Sequence, residues 1–135
     1  MRNDHTFMLK LPSEPSSISL LEAFVERIVL KYKIQPDLYG NILISLTEAV
    51  NNAIIHGNQR DRQKKVLIGM QKMGRQICFK VSDEGRGFDF SNLPDPTAPE
   101  NRCECGGRGV FIIQELADDV AFHDNGSTVE LQFKL

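Results

Sequence analysis

One stretch constrains the fold more than any other. Residues 36–57, PDLYGNILISLTEAVNNAIIHG, keep apolar and polar side chains on separate sides of a single helix. Pro36 and Asp37 open it, and Gly57 reads as its C-terminal stop. Ile42, Leu43, Leu46, Ala49, Val50, Ala53 and Ile54 form the apolar side, which needs a second layer to cover it. Asn41, Ser45, Glu48, Asn52 and His56 recur every three or four positions and line one polar stripe. A solvated face would look much the same, but this stripe lacks lysine and arginine. A carboxylate and a carboxamide one turn apart also suit a hydrated magnesium ion and a nucleophile that needs aiming.

The rest of the chain supplies the partner layer. His5 to Leu11 can form a first strand, ended by Pro12, and a first helix starts around Ser13–Ser17, where serines can cap it. Ile18, Leu21, Val25, Ile28, Val29 and Tyr32 give that helix one buried face. Val66–Met73 and Gln76–Ser82, with Gly74 between them, read as a hairpin. A third helix is expected from about Gly106 to Asp119, then strands at Val120–His123 and Thr128–Leu135 joined by a turn at Asp124–Gly126. The order βααββαββ predicts a two-layer α/β sandwich, with the helices on one face of a mixed β-sheet. From Phe88 to Cys105 no periodicity survives and three prolines intervene, the pattern of a functional lid or an insertion.

At 135 residues the chain fits a single domain over 1–135, large enough to bury roughly two thirds of its unfolded surface. Sixteen basic residues against 18 acidic ones leave a formal net charge of −2, which argues against direct nucleic-acid binding through phosphates. No apolar run approaches the about 20 residues that span a bilayer, and no signal peptide is expected from the first residues. The three cysteines, Cys78, Cys103 and Cys105, have no framework spacing and suit free thiols in the cytoplasm.

Two further segments carry chemistry. In Val81-Ser82-Asp83-Glu84-Gly85-Arg86-Gly87 a strand delivers Asp83 to its end, and two glycines follow at alternate positions. A carboxylate is a pure acceptor and can take a hydrogen bond from an exocyclic amine such as adenine N6. A plain turn ending a hairpin is the competing reading. In Cys105-Gly106-Gly107-Arg108-Gly109-Val110, glycines open a helix whose unpaired amides suit phosphate oxygens, unless they serve only as a hinge for the preceding loop. Neither a Rossmann fingerprint nor a P-loop is present.

Taken together, Glu48-x-x-x-Asn52, Asp83-x-Gly85-x-Gly87 and Gly107-x-Gly109 resemble the N-box and the two glycine boxes of the GHKL ATPases, whose ATP-binding fold is of the Bergerat type. TEAVNNAIIHG at 47–57 and GGRGVFIIQELADDV at 106–120 look most like the bacterial anti-sigma factor branch, a group of protein serine kinases. The resemblance implies that Glu48 acts as general base, Asn52 coordinates magnesium and Asp83 accepts from adenine N6. It further implies that Gly85 and Gly87 shape the adenine pocket, and that Gly107 and Gly109 approach the phosphates. Arg108 is a candidate phosphate contact. Where the family has a threonine hydroxyl supporting the aspartate, this chain has Ser127, followed by Thr128.

By the same resemblance, ATP and magnesium are the expected cofactors. The expected partners are a sigma factor, held in sequestration, and a STAS-type anti-anti-sigma protein, phosphorylated on a serine. A nucleotide-dependent binding module without kinase turnover is the alternative, and Glu48 favours the enzyme. A detached histidine-kinase domain fits less well, because no histidine lies on the first helix. The resemblance leaves open a monomer or a homodimer.

Overall fold

The computed structural model describes residues 5–85 and 107–135. Five strands and three helices follow one another among them: β1 (His5–Pro12), α1 (Ser17–Tyr32), α2 (Pro36–Asn52), β2 (Lys65–Met73), β3 (Gln76–Ser82), α3 (Gly107–Leu116), β4 (Asp119–His123) and β5 (Thr128–Lys134). The expected lid between Phe88 and Cys105 lies outside the described residues, as do Gly87, Cys103 and Cys105.

The two-layer α/β sandwich is as expected. The sheet, expected to be mixed, is instead antiparallel at every described pairing, in the order β1-β2-β3-β5-β4. The connections explain this. Pro12, ending β1, pairs with Lys65, opening β2, so α1 and α2 together return the chain to the sheet end it left. The strands β3 and β4 point the same way, but β5 lies between them: Ser82 pairs with Thr128, and Thr128 with His123.

Alternation along the strands sorts the sheet into two faces. Leu11, Val66, Ile68, Met70, Ile77, Phe79, Val81, Leu131 and Phe133 point to the helix side and share one core with Leu21, Val25, Ile28, Ile42, Leu46, Val50 and Ile113. Phe79 and Phe133 meet edge to face, with centroids 6.1 Å apart. Burying each such side chain contributes about 1.5–3 kcal/mol. The other face carries the exposed Met8, Leu67, Gln71, Met73 and Lys80. Gly74 takes a φ of 62° in the tight turn from β2 to β3, where a bulkier residue would be strained.

Two helix ends differ from expectation. Ser16, at the N-cap of α1, has φ −64° and ψ −15° and makes no capping hydrogen bond. Capping needs an extended residue there. Ser13 and Ser17 instead donate, to the carbonyls of Lys64 and Pro12, each at 2.6 Å. The α-helical part of α2 stops at Asn52 and continues as a π-helical turn, Ala53–Gly57. The left-handed residues beyond it are Gln59 and Arg60, not Gly57.

The end of α3 also falls earlier than expected, at Leu116. The Asp118 amide already bonds the Gln132 carbonyl at 2.9 Å, which draws the chain into β4 from Asp119. Cys78 is a buried free thiol whose Sγ lies 3.0 Å from Glu130 Oε2. Burial and the adjacent carboxylate push its pKa up to about 12, so it stays protonated. Among the described residues, no helix is long and apolar enough to cross a membrane.

Candidate functional site

The polar stripe of α2 is not a solvated face. Ser45 is buried, Asn41, Glu48 and Asn52 are half-buried, and only His56 at the far end is exposed. What covers the middle is the first turn of α3, which packs against α2 through the buried Val110 and Ile113. A Cβ placed on Gly109 would lie 2.9 Å from Asn52 Nδ2 and 3.0 Å from Glu48 Oε1. Glycine at 109 therefore lets the start of one helix sit directly on the carboxylate and carboxamide of another. Gly107 and Arg108 form the opening positions of the same turn.

Asp83 stands at the other end of this arrangement. It follows β3, and its amide donates to the Ser127 carbonyl at 2.9 Å, so the start of β5 fixes its backbone. Its Oδ1 accepts from the Gly85 amide at 2.7 Å. Burial raises the carboxyl pKa above its ordinary value of 3.8; the Gly85 hydrogen bond and the charge of Lys64 act in the opposite sense. The carboxylate is thus held in place on one side, in partly dry surroundings, with acceptor capacity to spare.

The hydroxyls expected to support Asp83 are directed elsewhere. Ser127 Oγ donates to the Asp124 carbonyl at 2.9 Å. Thr128 Oγ1 lies 3.0 Å from Ser82 Oγ and donates to Asp124 Oδ2 at 3.2 Å. Asp124, Asn125 and Gly126 all have positive φ, and this tight turn keeps the Ser127 hydroxyl on its own loop. Ser127 reaches Asp83 through its backbone carbonyl alone.

Gly57 joins the two ends. A Cβ there would collide with the Asp83 carboxylate, and a Cβ on Gly85 would collide with the Gly57 carbonyl. The helix that carries Glu48 and Asn52 therefore runs out onto Asp83, so the two groups of residues share one continuous floor. The helix does stop at Gly57, as the sequence suggests. The position of this glycine is set by contact, since its φ is not positive. Asn58, the next residue, carries no sequence signal beyond being an asparagine directly after the helix, yet it is fully buried.

Glu48, Asn52 and Gly109 are brought together, as are Asp83, Gly85 and Gly57, with Ser127 and Thr128 alongside. Gly87 lies outside the described residues. At three positions glycine brings backbone against the ends of Asn52 and Glu48, against the Asp83 carboxylate and against the Gly57 carbonyl, and a Cβ there would have to displace those groups.

Comparison with known proteins agrees with this fold. Residues 11–133 match the family model described as Histidine kinase-like ATPase domain. The chain is similar to proteins named Serine-protein kinase RsbW. It is 23% identical to that of Bacillus subtilis (strain 168) over 139 residues, covering 97% of this chain and 87% of the relative. It is 25% identical to that of Listeria monocytogenes serovar 1/2a over 128 residues, covering 90% and 82%. Among solved structures, that of the RsbU and RsbW domains of a Mycobacterium tuberculosis protein superposes with a TM-score of 0.70 at 15% identity. That match covers 97% of this chain and 32% of the longer protein, and it shows a shared fold. The chain belongs to the histidine kinase-like ATPase domain family.

Proposed function

We propose that this domain is an ATP-dependent protein serine kinase that phosphorylates a STAS-type anti-anti-sigma protein and sequesters a sigma factor, acting in the cytoplasm. The observation that carries the proposal is the seating of Gly109 against Glu48 and Asn52, which puts the amides of a helix N-terminus beside a carboxylate and a carboxamide. The name serine-protein kinase borne by the relatives supports the choice of serine as acceptor, and the resemblance to the anti-sigma branch supports the partners.

In this reading Asp83 accepts from adenine N6, and Gly85 and Gly87 let the backbone lie against the ring. The amides opening α3, at Gly107 and Gly109, receive the phosphates, with Arg108 as a further contact. Asn52 would hold magnesium, which would supply neutralisation of the charge on the phosphate oxygens. Glu48 takes the proton from the serine hydroxyl as its oxygen bonds to the γ-phosphorus. The bond from that phosphorus to the β-γ bridging oxygen breaks, and ADP carries the released electron pair.

The test mixes purified protein, γ-labelled ATP, magnesium and a STAS-domain protein encoded beside it. Label on a serine of that partner, abolished by Glu48→Ala, is the expected result. Nucleotide-dependent binding of the partner without label would replace the kinase by a nucleotide-dependent binding module.

A further inference from the structure

We infer that Asn58 is a positioning residue for base recognition, holding the turn Asp83–Gly85 in register with Gly57. The inference rests on the proposed role of Asp83 as the adenine acceptor.

Asn58 is fully buried, and its side-chain amide is used at both ends. Nδ2 donates to Ser13 Oγ at 2.9 Å and to the Lys65 carbonyl at 3.0 Å. Oδ1 accepts from the Glu84 amide at 2.7 Å. Ser13 Oγ in turn donates to the Lys64 carbonyl at 2.6 Å, and Glu84 Oε2 accepts from the Lys65 amide at 2.6 Å. Four chain segments meet at this one side chain: its own after α2, Ser13 after β1, Lys65 at the start of β2 and Glu84 after β3.

The backbone does not demand asparagine there. Asn58 has φ −92° and ψ −3°, which most residues adopt, and the left-handed positions are the next two. The side chain is what the position uses. It grips the middle residue of the turn, while the flanking residues make the contacts that matter for a base. Asp83 presents the carboxylate, and Gly85 rests on the Gly57 carbonyl. Gly57 and Asn58 thus engage one turn side by side, the first by contact and the second by a hydrogen bond. Without Asn58 the Glu84 amide loses this part-buried hydrogen bond, and the turn loses the tie that fixes it to the end of the helix. The Asp83 carboxylate on that turn is then less firmly placed.

The experiment is calorimetric titration of ADP and GDP into wild type, Asn58→Ala and Asp83→Asn. A merely structural loss weakens both nucleotides alike. A positioning role lowers the ADP-to-GDP affinity ratio, roughly tenfold for a loss of this kind. We expect that fall in Asn58→Ala, together with faster hydrogen exchange at the Glu84 amide. If Asp83→Asn lowers the ratio and Asn58→Ala leaves it unchanged, the inference is overturned and the adenine reading stands. If Asp83→Asn also leaves it unchanged, the adenine reading fails and takes the inference with it. Should Asn58→Ala not fold, Ser13→Ala removes one of the acceptors of the amide. A lowered ratio in that variant supports the role, and an unaltered one overturns it.

Discussion

The α-carbon of Gly57 lies so close to the Asp83 carboxylate that no side chain fits between them, although one residue ends a helix and the other follows a strand. Alanine at 57 must push the carboxylate aside. Overpacking of this kind costs about 1–3 kcal/mol. Gly57→Ala should therefore lower the thermal midpoint and weaken ADP binding by roughly tenfold or more. Gly57→Asn discriminates further. Asparagine would be tolerated at a left-handed helix cap, but here it should be at least as damaging as alanine, as melting curves and ADP titration would reveal.

Base selectivity follows from the chemistry of Asp83. In the proposed role its carboxylate accepts from the adenine amine and would meet the O6 acceptor of guanine. An unpaired buried contact of that sort costs about 1–3 kcal/mol, or roughly five- to 150-fold in affinity. ATP should outcompete GTP by such a factor, and Asp83→Asn should narrow the gap.

The raised pKa of Asp83 adds a pH signature with a definite sign. The folded protein holds this proton more tightly than the unfolded chain, whose value is near 3.8. The group therefore favours the fold fully below that value, and the contribution is lost as pH rises through the raised folded value. In nucleotide-free protein, the stability of wild type relative to Asp83→Asn should rise as pH is lowered through that window. Adenine affinity should fall over the same range as the acceptor is protonated. Urea melts and calorimetry along a pH series would detect both, and a pH-independent difference between the two proteins would refute the assignment.

On α2, Glu48→Gln keeps the size of the side chain and removes the base. Phosphoryl transfer should drop by about 10²–10⁴-fold with ADP affinity retained. Asn52→Ala should instead remove the part of nucleotide affinity that depends on magnesium. Turnover unchanged in Glu48→Gln would mean that another group takes the proton.

Gly109→Ala separates folding from activity. Alanine favours a helix by up to about 1 kcal/mol over glycine, and the atoms it would meet are the movable ends of Asn52 and Glu48. The variant should fold, with a midpoint equal to or above wild type, while phosphoryl transfer falls because those ends are displaced. Full activity would show that α3 need not sit so close.

Much of this arrangement was legible because its signals are local. Periodicity located α1 and α2, the glycine between apolar runs located the β2–β3 turn, and the stripe through Glu48 and Asn52 was visible before any fold was known. What escaped notice depends on contacts between distant segments. A glycine that ends a helix by φ and one that makes room for Asp83 are the same letter, so the helix end at Gly57 is legible but its contact with Asp83 is not. Asn58 looks like any turn asparagine until Ser13, Lys65 and Glu84 surround it. The serines before α1 resembled caps, and only the backbone angles at Ser16 show that they are not. The sheet was expected to be mixed because a helix between two strands suggests parallel neighbours. Nothing local in β5 announces that it will lie between β3 and β4.

The placement of β5 has a consequence for how the domain comes into being on the ribosome. The segment from Thr128 to Lys134 is made after every other described strand, yet it fills an inner position of the sheet. Until it emerges, β3 has an open edge and β4 has no partner. The Ser127 carbonyl that anchors Asp83 is also not yet there. A nascent chain can collapse its helices onto β1–β3 early, since those contacts are close in sequence and cheap to form. It cannot complete the place where a base would rest. If Asp83 takes the base as proposed, competence to bind nucleotide arrives only once β5 has been made.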